Sequence, residues 1–328
     1  MPKVSVIIPT YNRHRFLERA LASVAKQTFR DFEILVIQNG ENSASHEIAE
    51  KFNGKGVPVR YFFESIPDAA NARNVGIEKA RGEYIAFLDD DDEWYPEKLK
   101  LQVEILDRSK EIGLVSCHAE VVNDQGETVV DTRSNFTGQL TLEALLKEGC
   151  VIYSLSNVLV RRECFSRVGL FDTKYSIAHD YEFYRRLIRQ CDFASVEQAL
   201  VKYYRHAGNM TRKLSDMAVE NIEVLKSLLH RDCSQAEQSR IRVAIENHRK
   251  HYAFVNYLES LDAMDQKKYR TAARGLIASI RSNPWIGKEI DWGRFKNPLY
   301  RIIRSYLAAG YCLLLTLLGP SHSQEVSK

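Results

Sequence analysis

Residues 84–92 read YIAFLDDDD, five largely apolar residues followed by four consecutive aspartates. An uninterrupted apolar run of this length, rich in aromatic and branched residues, is typical of a strand buried on both faces. Adjacent carboxylates repel one another, and at the end of a buried strand they are costly unless a cation neutralises them. Mg²⁺ and Mn²⁺ prefer carboxylate and phosphate oxygens. The stretch therefore predicts a strand ending in a metal-binding loop, and the alternative is a solvated acidic run.

Short apolar strands alternate with helical patterns around this stretch. The predicted strands cover residues 4–8, 32–37, 59–63, 84–88 and 113–117, and the predicted helices cover residues 13–26, 43–52, 69–80 and 96–109, with Asn12 as the first N-cap. Such alternation predicts an α/β fold with a mostly parallel sheet covered on both faces. Right-handed crossovers bring the polar loops 9–12, 38–40 and 89–92 to one edge, where α/β proteins bind ligands. No GxGxxG or GxxxxGK[ST] sequence follows a strand, which argues against a dinucleotide fold or a P-loop.

The alternation breaks down beyond about residue 119. The elements predicted there are a hairpin over 121–130, a strand over 156–160, a helix over 181–189 and a purely helical pattern over 215–282. The second part of the chain is therefore expected to differ in architecture from the first.

The composition is that of a globular protein. The 328 residues are 45% hydrophobic and 27% charged, which excludes disorder, collagen and coiled coil as the dominant state. The net charge of +3 is too small to indicate a nucleic-acid binder. The six cysteines contain no CxxC pair, and the first residues lack the apolar core of a signal peptide. We expect a cytoplasmic protein with reduced thiols that binds no nucleic acid.

Five segments follow one another between residues 3 and 212. They are 4–12 (VSVIIPTYN), 71–76 (NARNVG), 82–92 (GEYIAFLDDDD), 157–187 with GLFD at 169–172, and HDYE at 179–182. In this order they resemble the nucleotide loop, the ARNxG segment, the DxD strand, the acceptor-side block and the ED motif of the family-2 glycosyltransferases. The resemblance implies the GT-A fold, and an inverting transfer of a sugar from a nucleotide-diphosphate sugar to a saccharide or lipid-linked saccharide, as in polysaccharide synthesis.

The resemblance also implies which residues bind the nucleotide sugar. They are Pro9, Thr10, Tyr11, Asn39, Arg73, Asp89 and Asp90. Tyr11 would stack on the base, unless it is only a packed loop aromatic. Arg73 would contact the diphosphate or hold the acidic cluster, the alternative being a surface salt bridge. Asp89 would bind the ribose or a metal-bound water.

Metal binding and catalysis are implied for three further residues. Asp91 would bind Mn²⁺ or Mg²⁺, and His206, in a segment resembling the family's RxHxxN sequence, would lie near the metal unless it is an ordinary surface histidine. Asp180 matches the catalytic base, which takes a proton from the acceptor hydroxyl. The alternative for Asp180 is an N-cap of the following helix. His179 stands where the family usually has glutamate.

One departure from the family concerns the end of the second strand. Gln38 and Asn39 replace two aspartates, the second of which accepts a hydrogen bond from the uracil ring. Asn39 can still accept through its amide oxygen, but it also donates. A uridine donor is expected, while thymidine and guanosine donors stay open, as does a weak or inactive enzyme.

The expected domains are a transferase domain over residues 1–212 and a helical region over 213–328. The first divides into a nucleotide-sugar-binding half, 1–118, and an acceptor-side half, 119–212. In the second, residues 305–319 form an apolar tail that is shorter than the ~20 residues needed to span a bilayer. The tail follows a basic stretch, which suits an anionic cytoplasmic membrane surface. The alternative is a helix packed on residues 215–282 or in a dimer interface.

Two rival functions remain open. A nucleotidyltransferase also uses acidic metal sites beside a parallel sheet, but residues 9–15 are not its glycine-rich basic loop. The other rival function is that of a sugar- or nucleotide-binding protein without catalysis. The presence of Asp89, Asp91 and Asp180 argues against it. Nothing in the fold class names the sugar, the acceptor or the linkage.

Overall fold

The computed structural model describes residues 1–40, 44–55, 57–123, 125–131, 140–147, 152–206, 209, 214–229, 234–266 and 269–282. In these residues nine strands form one sheet, in the order Val59–Glu64, Phe32–Asn39, Val4–Thr10, Tyr84–Phe87, Leu159–Arg161, Ile112–Val122, Asp192–Tyr204 and Glu93–Trp94, with Thr128–Asp131 paired to Ile112–Val122. The α/β class and the mostly parallel sheet flanked by helices are as the sequence predicts.

The first half is a run of four parallel strands with helical connections. The strands are β1 (Val4–Thr10), β2 (Phe32–Asn39), β3 (Val59–Glu64) and β4 (Tyr84–Phe87), and the helices are α1 (His14–Ala25), α2 (Ser45–Asn53), α3 (Ala69–Lys79) and, after β4, α4 (Lys98–Arg108). β1 pairs in parallel with both β2 and β4, and β2 pairs with β3. The three polar loops therefore meet at one edge, as crossover connections require.

The second half is mixed. Its elements are β5 (Glu93–Trp94), β6 (Ile112–Val122), β7 (Thr128–Asp131), α5 (Leu142–Lys147), a 3₁₀ turn (Leu155–Asn157), β8 (Leu159–Arg161), α6 (Arg162–Val168), α7 (His179–Leu187) and β9 (Asp192–Tyr204). β8 lies antiparallel between β4 and β6, and β6 runs parallel to β9. The predicted hairpin is confirmed by the antiparallel pairing of β6 with β7.

Strands β1, β2 and β4 are buried on both faces, which explains why they read as largely apolar runs. Along β1, Val6 and Ile8 join a core with Leu17 and Leu21 of α1, while Ile7 joins a second core with Phe87 on the other face. All six of these side chains are fully buried. Burial of both faces is what the uninterrupted pattern predicts.

Three details of the sequence prediction are wrong. Asn12 does not cap α1: it adopts φ 53, and Arg13 precedes the first helical residue. The strand predicted over 156–160 begins only at Leu159, because the 3₁₀ turn comes first. α7 begins at His179 rather than at residue 181, so Asp180 lies in the first turn and Ala178 occupies the N-cap position.

The helical region contains α8 (Leu214–Leu229), α9 (Gln235–Asp265) and α10 (Tyr269–Ser282). The chain divides into compact units at Met1–Ile245 and Glu246–Lys328; the boundary expected near residue 212 stays a prediction. Within the second unit, Ser279 Oγ donates to the Ala253 carbonyl at 2.6 Å. No helix in the described part of the chain is long and apolar enough to cross a membrane. The apolar tail, 305–319, lies outside the described residues.

Candidate active site

A cavity of about 530 Å³ lies at the edge where the polar loops meet. Its walls include the predicted site residues Pro9, Thr10, Tyr11, Asn39, Arg73, Asp89, Asp90, Asp91 and Asp180. His206, the remaining predicted residue, contacts Asp91. The structure thus brings all ten residues together, while their roles stay predictions.

Basic side chains and hydroxyls compensate the acidic loop that follows β4. The carboxylate of Asp89 accepts a hydrogen bond from Arg73. Asp90 Oδ2 accepts from Thr10 Oγ1 at 2.8 Å, and its Oδ1 lies 3.3 Å from Nη1 of Arg13. Asp90 is 5% exposed. The loop is therefore not a solvated acidic run, and that alternative is wrong.

Asp91 is held by two separate parts of the chain. Its Oδ2 lies 2.6 Å from Nη1 of Arg13 and 2.9 Å from Nε2 of His206. The His206 ring stacks on Phe16 of α1, with ring centroids 5.2 Å apart. Arg19 donates to the main-chain carbonyl of Asp91 at 2.5 Å. α1 and the segment after β9 therefore fix Asp91 between them.

Asp92 ties the acidic loop to the neighbouring elements. Its fully buried carboxylate accepts from Ser156 Oγ at 2.6 Å and from the Tyr204 amide at 3.3 Å. Burial, reinforced by the charge of Asp91, raises the pKa of Asp92 well above its ordinary value. The same two causes raise the pKa of Asp90 to about 7, although Arg13 opposes the shift. Burial and the repulsion between neighbouring aspartates thus disfavour four simultaneous negative charges in the loop.

Part of the cavity wall is formed by the loops after β1 and β2. Tyr11 is 47% exposed. Gly40 has φ 90, and a Cβ at this position would lie 2.4 Å from the Tyr11 ring. The backbone conformation therefore favours glycine, and a Cβ would also displace the Tyr11 ring. Asn39 lines the cavity, whereas Gln38 is fully buried. Of the two departures from the family pattern, Asn39 is the one placed to meet a ligand.

The cavity wall also includes His179 and Asp180 in the first turn of α7. Arg73 Nη1 lies 3.0 Å from His179 Nε2, and because a guanidinium only donates, the imidazole nitrogen accepts. Burial and the Arg73 charge lower the pKa of His179 to about 3, so the ring is neutral. Burial raises the pKa of Asp180 to about 6, against the Tyr181 amide and Arg73, which lower it.

Sequence reasoning missed several residues of this site. One is Arg13, for which the only sequence signal is indirect: four carboxylates at a strand end require cations, and Arg13 follows the loop after β1. Tyr153 and Tyr203 line the cavity as an edge-to-face pair with centroids 5.0 Å apart. Nothing local in the sequence signals that pair, because it joins a loop to a distant strand.

The donor types at Asp91 and His206 fit a divalent cation. A carboxylate oxygen and an imidazole nitrogen are both common ligands of Mn²⁺. Among the residues that the structure describes, no three His, Cys, Asp or Glu side chains are grouped so that they hold a metal by themselves. The remaining ligands would have to come from a bound phosphate and from water.

Sequence comparison identifies relatives of this chain. The family model described as glycosyl transferase family 2 matches residues 5–169. An uncharacterized glycosyltransferase of Rickettsia typhi is 28% identical over 251 residues, which cover 74% of this chain and 76% of that protein. The chain spans only 38% of the length of another Rickettsia relative.

Solved structures with the same fold include TarS and the mannosyltransferase PcManGT. TarS residues 1–349 from S. aureus, in complex with UDP-GlcNAc, superposes with a TM-score of 0.63 at 20% identity, covering 94% of this chain and 87% of that one. The mannosyltransferase PcManGT from Pyrobaculum calidifontis, in complex with GDP-Man and Mn²⁺, has a TM-score of 0.62 at 17% identity, covering 96% and 87%. At these identities the likeness concerns the fold.

Proposed function

Since the chain belongs to glycosyl transferase family 2 and has the GT-A fold, we propose that it is an inverting, metal-dependent transferase. It would move a sugar from a nucleotide-diphosphate sugar to a saccharide or lipid-linked saccharide, in the synthesis of a cell-surface polysaccharide. The observation that carries the proposal is the single cavity that Tyr11, Asp91 and Asp180 share. A nucleotide loop, an acidic loop and a carboxylate of raised pKa are thus within reach of one substrate.

Asp180 is the proposed base. In the transfer, the acceptor oxygen forms a bond to the anomeric carbon while the bond from that carbon to the diphosphate oxygen breaks. The acceptor proton passes to the Asp180 carboxylate, and the nucleoside diphosphate leaves. One displacement inverts the anomeric configuration, and no covalent sugar–enzyme intermediate forms.

Arg73 and Asp91 serve the leaving group in this proposal. Asp91 and His206 would hold the divalent cation, which supplies positive charge to the departing diphosphate. Arg73 lies on the cavity wall, paired with Asp89 on one side and His179 on the other. Two fixed partners orient the guanidinium before a substrate arrives, as electrostatic stabilisation requires.

A nucleotide-release assay tests the function. The full-length protein is supplied with UDP-, GDP- and dTDP-sugars and a saccharide acceptor, in Mn²⁺, in Mg²⁺ and in chelator. We expect release of the nucleoside diphosphate with at least one donor, dependent on the metal. Tight donor binding without release under any condition would favour a binding protein, and release of pyrophosphate would indicate a nucleotidyltransferase.

Asn39 is expected to influence the choice of base. TarS has been solved with UDP-GlcNAc and PcManGT with GDP-Man, so the fold accommodates both bases. We expect the wild type to prefer a uridine donor. Asn39→Asp should increase that preference by about tenfold or more, because a carboxylate, unlike an amide, offers only hydrogen-bond acceptors to the uracil ring. The measurement is kcat/KM across the donor panel. Asn53→Asp, an exposed substitution at the end of α2, is the control. An unchanged donor ranking in Asn39→Asp would mean that this side chain does not read the base.

The apolar tail is proposed to bring the enzyme to the cytoplasmic face of the inner membrane, where a lipid-linked acceptor lies. Four basic residues precede it, namely Arg294, Lys296, Arg301 and Arg304. Full-length protein should bind anionic liposomes, whereas a chain ending at Arg304 should stay in the soluble fraction. Equal solubility of the two, without liposome binding, would contradict the proposal. A fall in thermal stability or in oligomer mass on truncation would instead indicate a packed helix.

A further inference from the structure

Glu220 of α8 binds the segment that leads into the first turn of α7. Its Oε1 accepts from the Ser176 hydroxyl at 2.7 Å and from the Ser176 amide at 3.3 Å. Its Oε2 accepts from the amides of Ile177 and Ala178, both at 2.8 Å. One carboxylate thus collects four hydrogen bonds from three consecutive residues.

One of these bonds, from the Ala178 amide, satisfies the main-chain N–H of the residue at the N-cap position of α7. The first amides of a helix have no partner within it, and a side chain at the N-cap normally accepts from one of them. Ala178 occupies that position in α7, and it has no side chain that can accept. Glu220 supplies a carboxylate from another helix, and its negative charge also suits the positive end of the α7 dipole.

The charge state of Glu220 agrees with this role. Burial alone would raise the pKa of Glu220, but the hydrogen bonds from Ala178, Ser176 and Ile177 outweigh it and hold the pKa below its ordinary value. The ionised form is therefore the one that the segment stabilises, because only a carboxylate can accept at both oxygens.

The helix that carries Glu220 is held in place by apolar packing. Val224, Leu225 and Leu228 follow it on α8 at helical spacing, are at most 3% exposed, and pack with Ala178 and Tyr181 of α7. Because the helix cannot slide over this apolar contact without opening it, the carboxylate has a fixed position relative to α7.

The segment that Glu220 holds belongs to the cavity. Ser176 and Ile177 line its wall, as do the next residues of α7, His179 and Asp180. A shift of this segment would carry Asp180 with it, since only two peptide units separate Ala178 from Asp180. Misplacement of a reacting group by about 1 Å costs up to about 10²-fold in rate.

We propose that Glu220 is a positioning residue for the transfer: its carboxylate fixes residues 176–178 so that the Asp180 carboxylate faces the acceptor hydroxyl. The proposal rests on the proposed role of Asp180 as the base. It also assigns a role in the reaction to α8 of the helical region. This helix lies beyond residues 5–169, the part of the chain that matches the family model.

The test compares Glu220→Gln with wild type in the full-length protein. An amide offers one accepting oxygen instead of two, so part of the four hydrogen bonds is lost. We expect kcat to fall by about 10- to 100-fold while the Kd of the nucleoside diphosphate stays within about twofold. Hydrogen exchange at the amides of Ile177 and Ala178 should become about tenfold faster or more, since their acceptor is weakened.

Glu223→Gln is the matched control, because Glu223 lies exposed on the same helix. It should change neither kcat nor exchange at residues 177 and 178. If Glu220→Gln does not fold, Glu220→Asp, which keeps the charge but shortens the reach, is measured in the same way with the same expected direction.

Wild-type kcat in the folded Glu220 variant would overturn the proposal, whether or not exchange changes. Loss of kcat with unchanged exchange at residues 177 and 178 would overturn it too, because the segment would not have moved. A fully active Asp180→Asn variant together with faster exchange in Glu220→Gln would refute the base assignment and leave the contact of Glu220 with the segment standing.

Discussion

Replacing Asp180 with asparagine is expected to lower kcat by about 10²–10⁴-fold and to change donor affinity by no more than a few-fold. The amide has the size of the carboxylate, and its oxygen can still accept from the Tyr181 amide, which donates to Asp180 Oδ1 at 2.6 Å. What the variant loses is the ability to take a proton from the acceptor. The measurement is single-turnover transfer together with calorimetric binding of the donor.

The pH dependence of kcat provides a second test of Asp180 as the base. Burial raises the pKa of Asp180 to about 6, so the carboxylate gains a proton as the pH falls through this value. Wild-type kcat should therefore decline toward acid with a midpoint near pH 6, and the residual activity of Asp180→Asn should lack this limb. Asp192→Asn, at the exposed start of β9, is the control. Normal turnover of Asp180→Asn would place the base elsewhere.

Asp91→Ala is expected to abolish turnover. Its carboxylate is the group that Arg13 and His206 share, and without it the diphosphate would face the remaining acidic residues without a cation. Loss of a metal contact to a leaving group costs several kcal/mol, or about 10³-fold or more in rate. The measurements are nucleotide release and, independently of activity, the Kd for Mn²⁺ in the presence of nucleoside diphosphate.

Asp31→Ala serves as the control, because Asp31 lies exposed just before β2, at the opposite end of that strand from Asn39. It should leave both Mn²⁺ affinity and turnover unchanged. Full activity of Asp91→Ala in the presence of chelator would contradict metal dependence and the assignment of Asp91 together.

The parallel half of the sheet was predictable because its signals are local. β1, β2 and β4 are largely apolar runs that end in polar loops, and burial on both faces requires such runs. The placement of the acidic loop beside the nucleotide loop follows from the crossover rule alone. For these elements, neighbouring residues in sequence carry the necessary information.

The rest depends on contacts between distant residues. β8 has three residues and lies antiparallel between β4 and β6, an arrangement that three residues cannot signal. The N-cap prediction for Asn12 failed because the chain turns there with a positive φ. Pairing of Arg73 with His179, and of Glu220 with the α7 segment, joins parts of the sequence with no shared motif. Such pairs become visible only in the folded chain.

The acidic loop has a consequence for how the protein folds. Its carboxylates and their neighbours are bound across sequence separations of 106 residues for Arg73 and His179, 112 for Asp92 and Tyr204, and 115 for Asp91 and His206. Closing loops of this length costs more conformational entropy than closing short ones, and such remote contacts slow folding. A fragment covering only residues 5–169 would therefore expose carboxylates that lack these partners. We therefore expect assembly of the centre to require the chain as far as residue 206.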